Sequence, residues 1–111
     1  MDKEMFEMHA DICKTFANPK RLEILNYLRE GEKTVGELTK LANIPQANLS
    51  QHLAMLRHRK VVSTRRKGVI IYYKITNSKI IKACDLMREV LFEQIEDSKK
   101  LAVRIASMKN E

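Results

Sequence analysis

The sequence lacks the features that mark membrane-spanning and disulfide-stabilised proteins. None of its apolar runs approaches the ~20 residues that cross a bilayer, and its charged start lacks the apolar core of a signal peptide. The two cysteines, Cys13 and Cys84, are too few for a disulfide scaffold. With 3 glycines and 2 prolines there is no linker-like stretch. We therefore expect a single domain over residues 1–111 in the cytoplasm.

The sequence also lacks the residue patterns of an enzyme. It offers no acid/base pair, no glycine loop to cradle phosphate and no nucleophile beside a positioned base. The carboxylate groups Glu4/Glu7 and Glu93/Glu96/Asp97 fall on charged helix faces, where carboxylates are solvated. We therefore expect no catalytic activity.

Acidic side chains are outnumbered by basic ones. Lys and Arg total 21 against 14 for Asp and Glu, which gives a net charge of +7 with neutral histidines. A basic balance of this size points to a polyanionic partner, either a nucleic acid or an anionic membrane surface. Charge alone does not choose between these two partners.

What the sequence does contain is a helix with two contrasting faces between residues 45 and 56. Leu49, Leu53 and Leu56 recur at the i, i+4 and i+7 positions of one helical face. The outward face carries amides, a hydroxyl and a methyl group, on Gln46, Ala47, Asn48, Ser50 and Gln51. Amides and hydroxyls can hydrogen-bond base edges in the major groove, and alanine can contact a thymine methyl. We expect these five residues to read DNA bases.

Basic residues follow this helix and continue into a predicted β-hairpin. The β-branched and aromatic residues of 61–66 and 69–75 predict two strands, with the turn at Lys67-Gly68. Phosphate contacts supply much of the affinity of DNA-binding proteins, because they release counterions. We expect such contacts from His52, Arg57, Arg59, Lys60, Arg65, Arg66 and Lys67.

A short helix is predicted before the amide-bearing one. Thr34 and Glu37 fit a capping box that opens it, and residues 43–45 make a brief turn. Two short helices joined in this way, with the second polar outside, form a helix-turn-helix over residues 34–58. The hairpin of residues 61–75 then follows it as a wing. The predicted fold is mainly α-helical, a winged helix-turn-helix.

The last predicted helix is longer than one small core can cover. Asn77-Ser78 caps it, and its apolar seam runs from Ile80 to Met108 with a weak point at residues 98–100, where the helix could bend. Over residues 77–108 it would be roughly 48 Å long at ~1.5 Å per residue. Much of this seam should therefore face another chain.

Four segments, in order and spacing, resemble the ArsR family of winged-helix transcriptional repressors. They are FANPKRLEIL at 16–25, VGEL at 35–38, QANLSQHL at 46–53, and the wing ending at Tyr72-Tyr73. The resemblance runs from about Cys13 to Ile81. It implies DNA binding by the fourth helix and wing, with repression relieved by an inducer.

The resemblance further implies a homodimer built from the first and last helices, residues 1–17 and 77–109. The interface residues expected on this basis are Met5, Ile12, Phe16, Ile80, Met87, Leu91 and Ile95. Two reading helices about 34 Å apart would contact an inverted repeat with half-sites one helical turn apart. An alternative keeps the fold but makes it a protein-interaction or RNA-associated module. The basic face argues against a pure protein-interaction module and leaves the RNA-associated one open.

The inducer sites of the family's best-known members are missing. Thr34 and Gly36 stand where arsenic-sensing members carry a Cys-Val-Cys element, and Asn26 replaces the cysteine of a persulfide-sensing branch. No histidine follows His58 to build the zinc site of the last helix. The resemblance therefore carries over none of these inducers.

Three remaining side chains, His9, Cys13 and Cys84, leave several interpretations open. His9 and Cys13 are four residues apart on one helical face, and a thiol on an apolar stripe usually acts as a small hydrophobe. Packing in an interface is the interpretation we favour, and no cofactor is expected. The alternatives are a thiol redox switch between the two cysteines and a soft-metal site.

Overall fold

The chain forms five α-helices and a small antiparallel sheet in a computed structural model that describes residues 2–109. The elements are α1 (Lys3–Phe16), α2 (Pro19–Tyr27), a 3-10 turn (Leu28–Glu30), β1 (Lys33–Thr34), α3 (Val35–Ala42), α4 (Gln46–His58), β2 (Val62–Lys67), β3 (Ile70–Ile75) and α5 (Ser78–Lys109). The prediction of a mainly helical chain with one hairpin and a long last helix is confirmed. No described helix is both long and apolar enough to cross a membrane.

The hydrophobic core lies in the first of two compact units, which divide between Ile81 and Lys82. The predicted face of α4 is confirmed, because Leu49, Leu53 and Leu56 are each 0% exposed. Burying one such side chain contributes about 1.5–3 kcal/mol. The other wholly buried side chains of this core come from α2, α3 and β2: Ile24, Leu25, Leu38 and Val62. The apolar side of α4 is therefore fixed against the body of this unit.

The predicted capping residues hold the helix starts. The side chain of Asn18 accepts a hydrogen bond from the backbone N–H of Arg21 at 3.1 Å. Thr34 and Glu37 form both hydrogen bonds of the capping box, each 3.2 Å long. At α5, the Asn77 side chain accepts from the N–H of Lys79 at 2.9 Å. Each cap satisfies an N–H group that the first helical turn leaves without a backbone acceptor.

The turn between α3 and α4 is held by side chains of α2. Asn43 takes the left-handed conformation at φ 51°, which ends α3, and Pro45 lies just before the first residue of α4. The Lys20 ammonium donates to the carbonyl of Ala42 at 3.3 Å, and the Tyr27 hydroxyl lies 3.0 Å from the carbonyl of Leu41. Lys20 thus satisfies the carbonyl of Ala42 in the last turn of α3, while the single hydroxyl proton of Tyr27 is donated to Oε1 of Glu23 at 2.7 Å.

The hairpin turn lies one residue beyond its predicted position. Strands β2 and β3 pair from Val62 opposite Ile75 to Lys67 opposite Ile70, so the two loop residues are Gly68 and Val69. The prediction of Lys67-Gly68 is therefore wrong. Gly68 has φ +64° at the first loop position, as a type II′ turn requires, and Val69 is 96% exposed.

A third strand, β1, was not predicted. Its two residues pair with the outer edge of β3, Lys33 opposite Tyr73 and Thr34 opposite Tyr72, which gives the strand order β1-β3-β2. Two residues are too few to show the alternation that identifies a strand in a sequence. The pairing ties the segment before α3 to the wing.

Helix α5 is continuous through residues 98–100, where the weak seam left room for a bend. None of its residues is fully buried. Its seam is open to solvent, with Met87 69% and Leu91 50% exposed. The second unit, from Lys82 onward, thus consists of helix with an uncovered apolar face.

Helix α4 ends in a Schellman motif with a lysine where glycine is usual. The N–H of Val61 donates to the carbonyl of Leu56 and that of Lys60 to the carbonyl of Arg57, both at 2.9 Å. Lys60 has φ +61°, a conformation that costs a side chain with a Cβ roughly 1–2 kcal/mol. The buried Leu56 and Val61 supply the hydrophobic contact of the motif.

Replacing this lysine with glycine (Lys60→Gly) should raise the free energy of unfolding by roughly 1 kcal/mol, because glycine adopts positive φ without steric strain. Urea denaturation followed by circular dichroism measures the change. Arg59→Gly is the matched control: its φ is −82°, so glycine there should lower stability by about 0.5–1 kcal/mol. Equal changes in both variants would contradict the assignment.

Candidate nucleic-acid interface

The outward face of α4 presents short polar side chains to solvent. Gln46, Ala47, Asn48, Ser50 and Gln51 are all exposed. Ala47, Ser50 and Gln51 face away from the buried leucines, whereas Gln46, three residues before Leu49, lies at the first position of α4 on the leucine side. The helix contains no acidic residue, and its last turn is basic. Such a face can enter a groove between phosphates without electrostatic repulsion. The five predicted base-reading residues are thus all accessible, and all but Gln46 lie away from the leucine side of α4.

The expected phosphate-binding residues lie at two places on the same unit. Arg57, Arg59 and Lys60 are exposed at the end of α4, while Arg66 and Lys67 are exposed on the last positions of β2. Val61 and Val62 are buried between these two groups and fix the hairpin to the core. The remaining two members, His52 and Arg65, are engaged by other side chains.

Arg65 is held in an ion pair with Glu32. Its Nε donates to Oε2 of the carboxylate at 2.8 Å and its Nη2 to Oε1 at 2.5 Å, a bidentate arrangement. The guanidinium carbon also lies 4.4 Å from the ring centroid of Tyr72. The hydrogen bond from Arg65 lowers the pKa of Glu32, against the opposing effect of desolvation. Arg65 therefore ties the wing to the segment that precedes β1.

His52 is half-buried and faces an arginine of α2. Its Nδ1 lies 3.4 Å from Nε of Arg21, whose Nη1 in turn lies 3.5 Å from the carbonyl of Thr15. Burial, and then the positive charge of Arg21, lower the pKa of His52. Both effects favour the neutral form of the imidazole.

Arg21 and Glu32 were both missed as contributors to this surface. Arg21 belongs to the motif FANPKRLEIL. However, no pattern in the sequence indicates that it contacts His52, which lies 31 residues further along the chain. Glu32 lies in a charged loop without any recognisable pattern. Both pairings form only when the chain folds.

The candidate sensor residues do not form a recognisable ligand set. His9 and Cys13 are exposed on α1, and Cys84 is half-buried on α5. Across residues 2–109 the structure contains no group of three His, Cys, Asp or Glu side chains that could hold a metal ion.

The expected dimer-interface residues fall into two classes. Phe16 and Ile80 pack against the core of the first unit, so part of their surface is already covered. The others are exposed large apolar side chains: Met5, Ile12, Met87, Leu91 and Ile95. Apolar surface of this extent on α1 and on α5 is typical of an interaction site.

Comparison with known proteins places these features in a family. The model of the bacterial regulatory protein family ArsR matches residues 18–64. The biofilm growth-associated repressor of Xylella fastidiosa is 36% identical over 94 residues, which cover 85% of this chain and 82% of the relative.

Two solved structures are also similar. The crystal structure of Rv0081 from Mycobacterium tuberculosis has a TM-score of 0.79 at 34% identity, covering 86% of this chain and 97% of that protein. The homodimeric winged helix-turn-helix DNA-binding domain of Mb0332 from Mycobacterium bovis has a TM-score of 0.76 at 28% identity, covering 85% and 87%. The prediction of a winged helix-turn-helix is confirmed.

The ion pair of Arg65 and Glu32 should be visible in a pH titration. We expect the carboxyl of Glu32, followed by carbon-13 NMR, to titrate below the usual glutamate range, because Arg65 stabilises its charged form. The tie is therefore present at neutral pH and lost as the pH falls through that lowered pKa. Arg65→Gln should raise the pKa of Glu32, whereas Arg66→Gln should leave it unchanged. The same titration in both variants would refute the pairing.

Proposed function

Because the chain belongs to the ArsR family of bacterial regulatory proteins, we propose that it is a homodimeric, sequence-specific DNA-binding regulator that represses transcription at an inverted repeat. In this proposal the protein acts in the cytoplasm and is not an enzyme. The observation that carries the proposal is the acid-free polar face of α4, exposed above three leucines that are wholly buried.

Base reading is assigned to the exposed face of α4. Gln46, Asn48 and Gln51 carry amides that can form two hydrogen bonds with an adenine edge, and Ser50 can bond several bases. Ala47 supplies a methyl group for contact with thymine. Each well-formed bidentate contact discriminates against a wrong base by about 1–3 kcal/mol. The buried leucines support this assignment, because they fix which side of α4 faces outward.

Phosphate binding is assigned to the basic residues on either side of this face. Lys60 supports the assignment in a particular way: a lysine stands at positive φ, where glycine would relieve strain. A lysine at this strained position is expected if its positive charge contributes to binding phosphate. Arg66 and Lys67 supply the equivalent charges on the wing. Arg65 contributes less, because its guanidinium already binds Glu32.

Dimerisation is assigned to α1 and α5, within residues 1–17 and 77–109. Both helices expose large apolar side chains that a second copy would cover. A two-fold axis would present two copies of the helix-turn-helix, residues 34–58, with two wings, residues 61–75. Reading helices about 34 Å apart then match half-sites one helical turn apart on the same side of the duplex.

Base and phosphate contacts should separate in a binding titration. Gln51→Ala should weaken binding to the site that the protein selects from random DNA more than binding to unrelated duplex, since only the selected site offers the matching base edge. Arg66→Ala should weaken both about equally and reduce the salt slope of log affinity by roughly one unit.

The measurement is fluorescence anisotropy across a series of salt concentrations, with folded RNA as competitor. Equal losses for both variants on both DNAs would contradict the two assignments. Preferential binding of the RNA would favour the RNA-associated alternative instead.

The dimer should depend on the seam of α5. Leu91→Glu should yield monomers in analytical ultracentrifugation, because the interface would have to bury an unpaired carboxylate from each copy. Ser107→Glu adds the same charge on the opposite side of α5 and should leave the dimer intact. An Leu91→Glu protein that remains dimeric, with its helix content unchanged, would show that the seam is not the interface.

A further inference from the structure

We propose that Arg21 is a positioning residue for DNA binding, which fixes the hydrogen-bonding form of His52 so that its Nε2–H donates to a backbone phosphate. The inference rests on the proposed function, because the acceptor is the DNA. It adds to that function a residue of α2 that lies outside both the reading helix and the wing. The inference also specifies the tautomer in which His52 would contact a phosphate, namely the one with its proton on Nε2.

The tautomer follows from the chemistry of the partner. Nε of Arg21 lies 3.4 Å from Nδ1 of His52. A guanidinium has only donors and keeps its proton at any physiological pH, so Nδ1 must be the acceptor in this contact. A neutral imidazole that accepts at Nδ1 carries its proton on Nε2. The Arg21 side chain thus determines which ring nitrogen can donate.

Arg21 is itself held in place at two points. Its backbone N–H is capped by the Asn18 side chain at 3.1 Å, and its Nη1 lies 3.5 Å from the carbonyl of Thr15 at the end of α1. Thr15 is buried, and its hydroxyl donates to the carbonyl of Asp11 at 3.0 Å. The cap thus anchors the backbone of Arg21, and the guanidinium lies between the end of α1 and His52 of α4.

The setting of His52 opposes a second proton on the ring. The side chain is half-buried, and protonation of Nδ1 would remove the acceptor and place two cations against each other. Arg21 is the charged group that acts on this imidazole, and His52 has a lowered pKa as a result of burial and of that charge.

The position of His52 on α4 suits a contact with the backbone of DNA. It follows Gln51, which is exposed on the proposed reading face, and precedes Leu53, which is wholly buried. A residue between these two faces lies at the edge of the helix surface that enters a groove. Phosphates line both edges of a groove, and a neutral N–H donor is among the groups that bind them.

The first arm of the test needs no DNA. Long-range nitrogen-15 NMR of the full-length protein should show His52 as the Nε2–H tautomer, with a titration midpoint below the usual histidine range. In Arg21→Gln the share of the Nε2–H form should fall to that of a free imidazole, which itself favours Nε2–H, and the pKa of His52 should rise. Arg104→Gln, which removes the same charge from α5, should leave both properties unchanged.

The second arm measures affinity for the selected duplex and for unrelated duplex at several pH values. Arg21→Gln should weaken binding to both roughly tenfold at neutral pH, as expected for a lost hydrogen bond to a charged group. Because its His52 gains a proton at higher pH, affinity should recover as the pH falls from neutral, whereas the wild type should begin to change only at lower pH. His52→Gln should retain most of the affinity, because its amide can donate, and it should lose the pH dependence. His52→Ala should lose both the affinity contributed by this contact and the pH dependence.

The two arms distinguish failure of this inference from failure of the proposed function. An Nδ1–H tautomer or an equal mixture in the wild type would overturn the role of Arg21, whatever the DNA result. Wild-type affinity and pH profile in Arg21→Gln, or an equal loss in Arg104→Gln, would also overturn it. An Nε2–H tautomer in a protein that binds neither duplex would refute the phosphate contact and the proposed function, and leave only the pairing.

Discussion

The burial of Leu49, Leu53 and Leu56 is the constraint on which the rest of this surface depends. These side chains join α4 to α2, α3 and the hairpin in one core, so the helix cannot rotate about its axis without exposing a leucine. Once that rotation is fixed, the polar face has a single direction. The same core includes Val61 and Val62, which place the wing next to the end of the reading helix.

Charge is distributed unevenly over the residues that surround this face. Basic side chains at the end of α4 and on the wing remain exposed, while Arg65 is neutralised by Glu32 and stacked on Tyr72. Arg65 and Arg66 therefore differ in the side chains that surround them, although both are arginines. One arginine braces the wing to the segment before β1, and the next keeps its charge available to a polyanion.

Local features were predicted well because their causes are local. A capping box needs residues three apart, as Thr34 and Glu37 are, and an amphipathic helix needs a regular period, as the leucines of α4 have. The hairpin was found, but its turn was misplaced by one residue. Strand periodicity does not determine which residue beside Gly68 joins the ladder, and that pairing sets the turn.

The sequence by itself determined the family and the order of the five helices and the hairpin, since these are encoded in short-range spacing and in the four motifs. Only the tertiary structure decided which residues of these elements contact one another. Strand β1, the ion pair between Glu32 and Arg65, and the contact between Arg21 and His52 join residues 31 to 40 positions apart. No pattern along the chain specifies such pairs, because they depend on how helices and strands pack after their local forms are set.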